Sequence, residues 1–317
     1  MPACDLTAPT QKMMRIPLLL TLLTAHAFGL TPEQEQVPLE AAPSDPKLAK
    51  IVLIAGSVSN KAGQHEYFAG CTLMMHWLQA ETGVWPTLVA EGWPKDERVF
   101  DGAKAVVVFS DGGAKTPFLS PERWTRIEKV VQSGAGLVML HQAVEVPAEK
   151  ADSFKSWLGA VWQPDIGSRG HWDMEFSKFP EHPIMRGVTS FAAPLDGWLY
   201  NLHFAEKATP LLMGKVPDKN RSTADAKAHA GRDEVVAWAY ERAGGGRSFA
   251  FTGCDLHRNW GVESQRRFVI NGILWVAGRE VPAGGAKVAL DPADLTKWFD
   301  DKPAPAPKVK AAPAAVQ

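Results

Sequence analysis

Three short runs are apolar along nearly their whole length: Lys50 to Gly56 (KIVLIAG), Ala103 to Ser110 (AKAVVVFS) and Leu137 to Leu140 (LVML). A strand with one wet face alternates apolar and polar residues, so runs like these belong to strands covered on both sides. Helical spacing lies between them. Phe68, Cys71, Leu73, Met75, Trp77 and Leu78 punctuate Glu66 to Thr82, and a short strand is expected at Pro86 to Ala90. A second helix should open at Ser120-Pro121, with Ser as cap and Pro in the first turn, and stop at Gly134-Ala135-Gly136. This alternation predicts an open α/β sheet with crossover helices.

The pattern weakens from Trp157 to Leu212, a Trp-, His- and Pro-rich stretch read as an insertion or long loops with short antiparallel strands. It resumes at Val235 to Arg242 and Arg247 to Thr252, and Gln265 to Gly278 reads as the last helix. Gly244-Gly245-Gly246 precedes a strand instead of opening a helix, so it is a turn and not a phosphate cradle; no nucleotide cofactor is expected.

Ligands of open α/β sheets bind beyond the carboxyl ends of the strands. That rule selects His65 and Glu66 after the first strand and Asp111 in Asp111-Gly112-Gly113. It also selects His141 with Glu145 after LVML, and Asp255 and His257 after the late strand. Any one such His is commonly a loop residue, and Asp-Gly-Gly is ordinary turn chemistry. Three imidazoles brought together from separate segments suggest a site. His141, His257, Asp255, Asp111 and Glu145 are the catalytic candidates. His65, His141 and His257 could hold a divalent ion such as Zn²⁺; a metal-free, hydrogen-bonded cluster is the other reading.

Composition narrows the ligand. Lys plus Arg number 34 against 35 Asp plus Glu, a net charge of −1, which argues against a nucleic-acid partner. There are 12 Trp but only 3 Tyr. Trp77, Trp124, Trp238 and Trp275 fall at helix or strand positions and read as core. Trp172, Trp198 and Trp260 could instead stack on a sugar, with His171, Asp196, Tyr200 and Asn201 for its hydroxyls.

The ordered strings GQHEYFAGC, VVVFSDGG, GLVMLHQAVEVP, EHPIMRG, DGWLYN, EVVAWAYERAGGGRSFAFTG and FVINGILWVAGREVP resemble the trehalose-utilisation (ThuA-like) domain family over residues 48–282. The resemblance implies a class I glutamine amidotransferase-like fold: a flavodoxin-like three-layer sandwich with a mostly parallel central sheet. In amidotransferases the elbow after the GLVML-like strand carries a Cys nucleophile; here it carries His141. An imidazole does not replace a thiolate that forms a thioester, so glutamine hydrolysis is not expected. The resemblance implies a carbohydrate substrate, an oxidised (3-keto) glycoside or its product, cleaved by a hydrolase or lyase. In that reading His141 is the base, His257 or Asp255 the acid, and His65 polarises the keto oxygen, alone or through a metal. Paired carboxylates for ordinary glycoside hydrolysis are less evident. The alternative is a sugar-binding or interaction module that kept the fold without the nucleophile.

The ends read differently. Lys12 and Arg15 precede Ile16 to Leu23, and Ala25-His26-Ala27 offers a cleavage pattern, so residues 1–27 read as leader and signal peptide. Export to the periplasm or beyond is the expectation, and the run is too short for a membrane span. Residues 28–47, with Pro32, Pro38, Pro43 and Pro46, read as a linker; residues 283–317, ending in a Pro/Ala-rich stretch, read as a tail. Cleavage would leave Cys71 and Cys254, either paired or as two buried thiols. The sequence does not set the oligomeric state.

Overall fold

Along the chain, the computed structural model, which describes residues 29–302, begins with α1 (Pro32–Glu35) and β1 (Ala49–Ala55). Then come α2 (Tyr67–Gln79), β2 (Val84–Val89), β3 (Ala105–Phe109), α3 (Pro121–Gln132), β4 (Gly136–Leu140) and α4 (Ala151–Leu158). The middle supplies β5 (Ala160–Val161), β6 (Ser168–Phe176), β7 (Phe191–Tyr200), β8 (His203–Phe204) and β9 (Thr209–Gly214). After α5 (Ala224–Ala228) follow β10 (Glu234–Glu241), β11 (Arg247–Phe251), α6 (Glu263–Val276) and α7 (Asp294–Lys297).

Seven strands form one sheet in the order β2-β1-β3-β4-β11-β10-β9. The pairs β1–β2, β1–β3, β3–β4 and β4–β11 are parallel, while β10 runs antiparallel to both neighbours. The apolar runs sit at the centre with both faces covered: Ile51, Val52, Leu53 and Ile54 have no exposed surface. One face packs under α2 and α6, the other under α3 and α4. In α3 only Trp124, Ile127, Val130 and Val131 are buried, the stripe expected at helical period. Ser120 caps it by accepting the Arg123 N–H at 3.4 Å. Pro86 is tolerated because β2 is an edge strand. The chain adds β2 on one side of β1 and then crosses to add β3 on the other, so the switch point lies between β1 and β3, beside the candidate residues.

The middle segment is more regular than its sequence suggests. β6 and β7 form an antiparallel hairpin from Ser168↔Tyr200 to Phe176↔Phe191. The Gly244–Gly246 turn joins β10 to β11, and Trp77, Trp124, Trp238 and Trp275 are all buried. Cys71 and Cys254 are two separate buried thiols.

Both expected termini need correction. Residues 29–47 are not a free linker. Val37 is buried, the Glu40 N–H bonds Leu88 O at 2.8 Å, and the segment covers the open edge of β2. Residues 283–302 are not a tail. Ala286, Val288 and Trp298 are buried, and the Trp77 indole donates to Ala289 O at 2.8 Å. The ends meet where the Gln34 amide donates to Trp298 O at 2.9 Å and Asp300 Oδ1 at 3.0 Å. Enough apolar side chains punctuate both segments to dock them, despite the prolines. The signal-peptide reading and the stretch after Lys302 fall outside the described residues. Among the described residues no helix is long and apolar enough to cross a membrane.

Candidate active site

His141 directly follows β4 with a left-handed backbone, φ 57°. His65 (φ 49°) and Cys254 (φ 76°), next to Asp255, are left-handed as well. Non-glycine residues rarely take that conformation, and such strain collects at functional sites.

The three segments bring His65, His141 and Asp255 together. His65 Nε2 lies 3.1 Å from His141 Nε2 and 3.4 Å from Asp255 Oδ1; His141 Nε2 is 4.0 Å from that oxygen. One ligand atom from each lies within 4.8 Å of the others, and all three residues are buried. The outward nitrogens are held. His65 Nδ1 meets Asp111 Oδ1 at 2.8 Å, and His141 Nδ1 meets Thr252 O at 3.1 Å. With those Nδ1–H groups donated, both Nε2 atoms face inward. Asp255 Oδ1 is buried and accepts no hydrogen bond among the described residues.

Burial, then the charge of His65, pushes the His141 imidazole down to about 4, so it is neutral at ordinary pH. Burial alone would raise the Asp111 carboxyl. Hydrogen bonds from His65 and from the Tyr67 hydroxyl at 2.7 Å, with Lys115 at 3.2 Å, hold it well below the usual carboxylate range. Ser59 Oγ also donates to Asp111 Oδ1, at 3.0 Å.

His171, from β6, contacts Asp255 Oδ2 through Nε2, and its side chain is 53% exposed. Gln64 Nε2 reaches the same oxygen at 3.5 Å. A cavity of about 400 Å³ opens onto His65, lined by Asn60, Asp111, Gln142, Glu145 and Arg169. Glu145 pairs with Arg169 at 3.1 Å, and burial raises its carboxyl. Its backbone O takes the Gly113 N–H at 2.9 Å. Gly112 permits this approach, since a Cβ there would strike Gln142 O. A hollow of about 580 Å³ at the other end of the sheet, by Ser133 and Arg242, holds none of the histidines.

Several expected site residues serve the scaffold instead. His257 is not part of the trio: its ring packs on Phe299 at 5.0 Å, and burial, then the Lys302 charge, pushes it down to about 3. Asp196 is fully buried and accepts the Cys254 N–H at 2.9 Å and the Leu256 N–H at 3.0 Å, so it clamps the turn that carries Asp255. Trp198 and Trp260 are core, and Trp172 donates to Lys215 O at 3.1 Å from a buried position. The Tyr200 hydroxyl is spent on Asn220 O at 2.6 Å, and the Asn201 amide on Ile166 O at 2.9 Å and Asp225 at 2.6 Å. Of the expected sugar-binding set, His171 alone faces the site. A hairpin that buries one face of β6 and β7 draws in the rings along it, which composition cannot foresee.

Tyr67, Ser59, Arg169 and Lys302 were missed. Lys302 buries its side chain and donates to the carbonyls of Gln64 at 2.6 Å and His65 at 3.0 Å. It also pairs with the buried Glu66 at 3.2 Å and with Asp300 at 3.6 Å, so the end of the described chain pins the loop that carries His65. A lone Lys beside a Pro/Ala-rich stretch gives no such signal.

A mostly parallel sheet with helices on both faces, a switch-point site and a left-handed His141 after β4 define a flavodoxin-like α/β domain. The chain belongs to the ThuA family: the family model described as trehalose utilisation matches residues 58–276. Among solved structures, a ThuA-like protein from Parabacteroides merdae is 17% identical with a TM-score of 0.55, over 77% of this chain and 96% of that one. A ThuA-like protein from Bacteroides uniformis is 14% identical with a TM-score of 0.54, over 76% and 95%. At such identities the likeness is one of fold. No curated protein matches the chain in sequence.

Proposed function

We propose that this protein is an exported enzyme that cleaves 3-keto glycosides. The observation that carries the reading is the buried trio of His65, His141 and Asp255, of which His65 opens onto a polar cavity at the sheet's switch point. The family's tie to trehalose utilisation supports a carbohydrate substrate, and the Lys12 to Ala27 pattern supports export.

The donor set fits a divalent ion. Two ligands about 2.1 Å from a tetrahedral ion stand roughly 3.4 Å apart, close to the 3.1 and 3.4 Å separations from His65 Nε2. The neutral His141 imidazole, the inward Nε2 of His65 and an Asp255 oxygen that takes no hydrogen bond from the described residues are suitable ligands. When bound, such an ion supplies Lewis acidity to the keto oxygen. His141, 2% exposed, suits the role of ligand better than that of base.

The half-exposed His171, oriented by Asp255, is placed to take the proton from the carbon alpha to the ketone. The electron pair released forms the ring double bond as the C–O bond to the anomeric substituent breaks, and the departing oxygen takes up a proton. Water then adds at the anomeric carbon, and the carbon next to the ketone regains its proton. The net reaction is hydrolysis. Glu145 and Arg169 offer partners to the ring hydroxyls. A binding module without chemistry has less support, because Trp172, Trp198 and Trp260, the rings that would stack on sugar, are buried.

The test is turnover of plain and 3-keto glycosides by the purified protein, with and without chelator. Turnover of the keto series alone, lost on chelation and restored by a divalent ion, is the expected result. No turnover in either series, with sugar binding indifferent to His141→Ala, would overturn the enzyme reading. Undiminished activity after chelation would remove the ion.

A further inference from the structure

A second recess, of about 620 Å³, lies next to the trio, bordered by Gln64, His171 and Leu256. Gln64 and His171, both in contact with Asp255 Oδ2, form part of its lining, and Lys61 follows Asn60 of the polar cavity directly in the chain. Whatever occupies the recess therefore lies beside the reacting groups. Leu195, Leu256, Leu295 and Phe299 form its apolar lining; no carboxylate among the described residues lines it, and Lys61 and Arg258 are its cations.

The backbone presents Leu195 there by a specific distortion. Trp172 pairs with Asp196 and Met174 with Ala193, so Asp173 alone opposes Pro194 and Leu195. This is a β-bulge, held by Asp173 Oδ1 accepting the Leu195 N–H at 2.7 Å. Leu195 takes a left-handed backbone in the bulge, φ 51°, and the residue is 54% exposed. A leucine is a poor choice for that conformation and that exposure if packing were its only role.

We propose that this recess is the aglycone site of the enzyme and that it takes an aromatic ring. The inference rests on the glycoside-cleaving reading of the adjacent site. The two hollows divide the substrate by chemistry. Asn60, Asp111, Gln142, Glu145 and Arg169 meet the hydroxyls of the keto sugar, while the leucines and the Phe299 ring cover the leaving group. A second sugar would find Gln64 and Thr296 but few other neutral polar partners there. An apolar cavity of about 150 Å³ suffices for benzene, so two or more joined rings fit. Phenolic oxygens on the ring would find Lys61 and Arg258.

The test compares 3-keto glucosides carrying methyl, glucosyl and phenyl aglycones, and reads the ratios of kcat/KM in the wild type and in Leu195→Asp. A phenyl-to-methyl ratio of tenfold or more, falling toward one in the variant, is expected. Because each ratio is internal to one protein, a partial loss of folded enzyme does not imitate the result. A glucosyl preference, equal rates, or a ratio unmoved by Leu195→Asp would overturn the aromatic site while leaving the glycoside reading in place. Calorimetric titration with 4-nitrophenol alone separates the two ideas in the other direction. Binding lost in Leu195→Asp, with no glycoside turned over, keeps the recess and removes the reaction; no binding of the phenol and no aryl preference removes the recess.

Discussion

His65 and Asp255 do little by their own identity; their neighbours make them a site. Asp111 accepts from His65, Tyr67 and Ser59 at once, which fixes the imidazole with Nε2 inward. Asp111→Asn keeps the shape but offers an amide where a carboxylate stood. It should lower kcat/KM about 10- to 100-fold, the usual effect of losing a residue that orients a ligand, with the far-UV spectrum unchanged. Gly197 shows the same dependence from the other side. A Cβ there would press on the Asp255 carboxylate and lie 2.8 Å from Asp255 Cβ. Gly197→Ala should displace that carboxylate and reduce activity more than tenfold, read against a melting temperature that falls only a few degrees. His65, His141, Asp111 and Asp255 were legible because the strand-end rule needs only the strands. Asp196 was legible as important but not as a clamp, since its role is set by two N–H groups of a loop some sixty residues on.

Elements differ in how much of their fate local sequence holds. β1, β3, β4 and α3 follow from apolar continuity, period and capping. The segment after α6 does not: its anchors are scattered, and each becomes meaningful only against α2 and the His65 loop. Lys302 is the extreme case, a fully buried ammonium that faces Glu66. Burial raises the Glu66 carboxyl, and the Lys302 charge opposes that rise. Lys302→Met leaves Glu66 buried without its cation, which typically costs about 3–5 kcal/mol. Urea unfolding should show that loss, and adding Glu66→Gln should restore much of it; an unchanged midpoint in the single variant would mean that the pair contributes little. The short turn at His182 carries a pH effect. His182 Nδ1 accepts the Ile184 N–H at 3.2 Å, and burial lowers its pKa below the ordinary 6.5. The unfolded chain therefore binds the proton first, so stability is full above that value and falls as pH drops through and below it. His182→Asn, which keeps an acceptor, should flatten the acid side of a melting-temperature profile.

At the scale of the whole molecule, the site draws ligands from three separate strand ends, so an ion held there stabilises the entire fold by binding the native state alone. At 100 times its Kd a ligand adds about 2.7 kcal/mol. A zinc titration should raise the melting temperature of the wild type by several degrees and leave His141→Ala unmoved; equal shifts in both would place the ion elsewhere. The two termini act at this scale too, since Gln34 and Trp298 join across the domain and close the edge and floor that residues 48–282 leave open. Sequence alone determined the α/β class, the parallel core and the strand ends at which chemistry collects, because those depend on short-range periodicity and on burial of both faces of a strand. Tertiary structure decided which imidazoles meet, that Asp255 and not His257 completes the trio, and that Trp172, Trp198 and Trp260 are buried as well. It also decided that Leu195 is turned outward and that Lys302 is turned in. Those outcomes depend on distances between segments far apart in the chain, which no local pattern encodes.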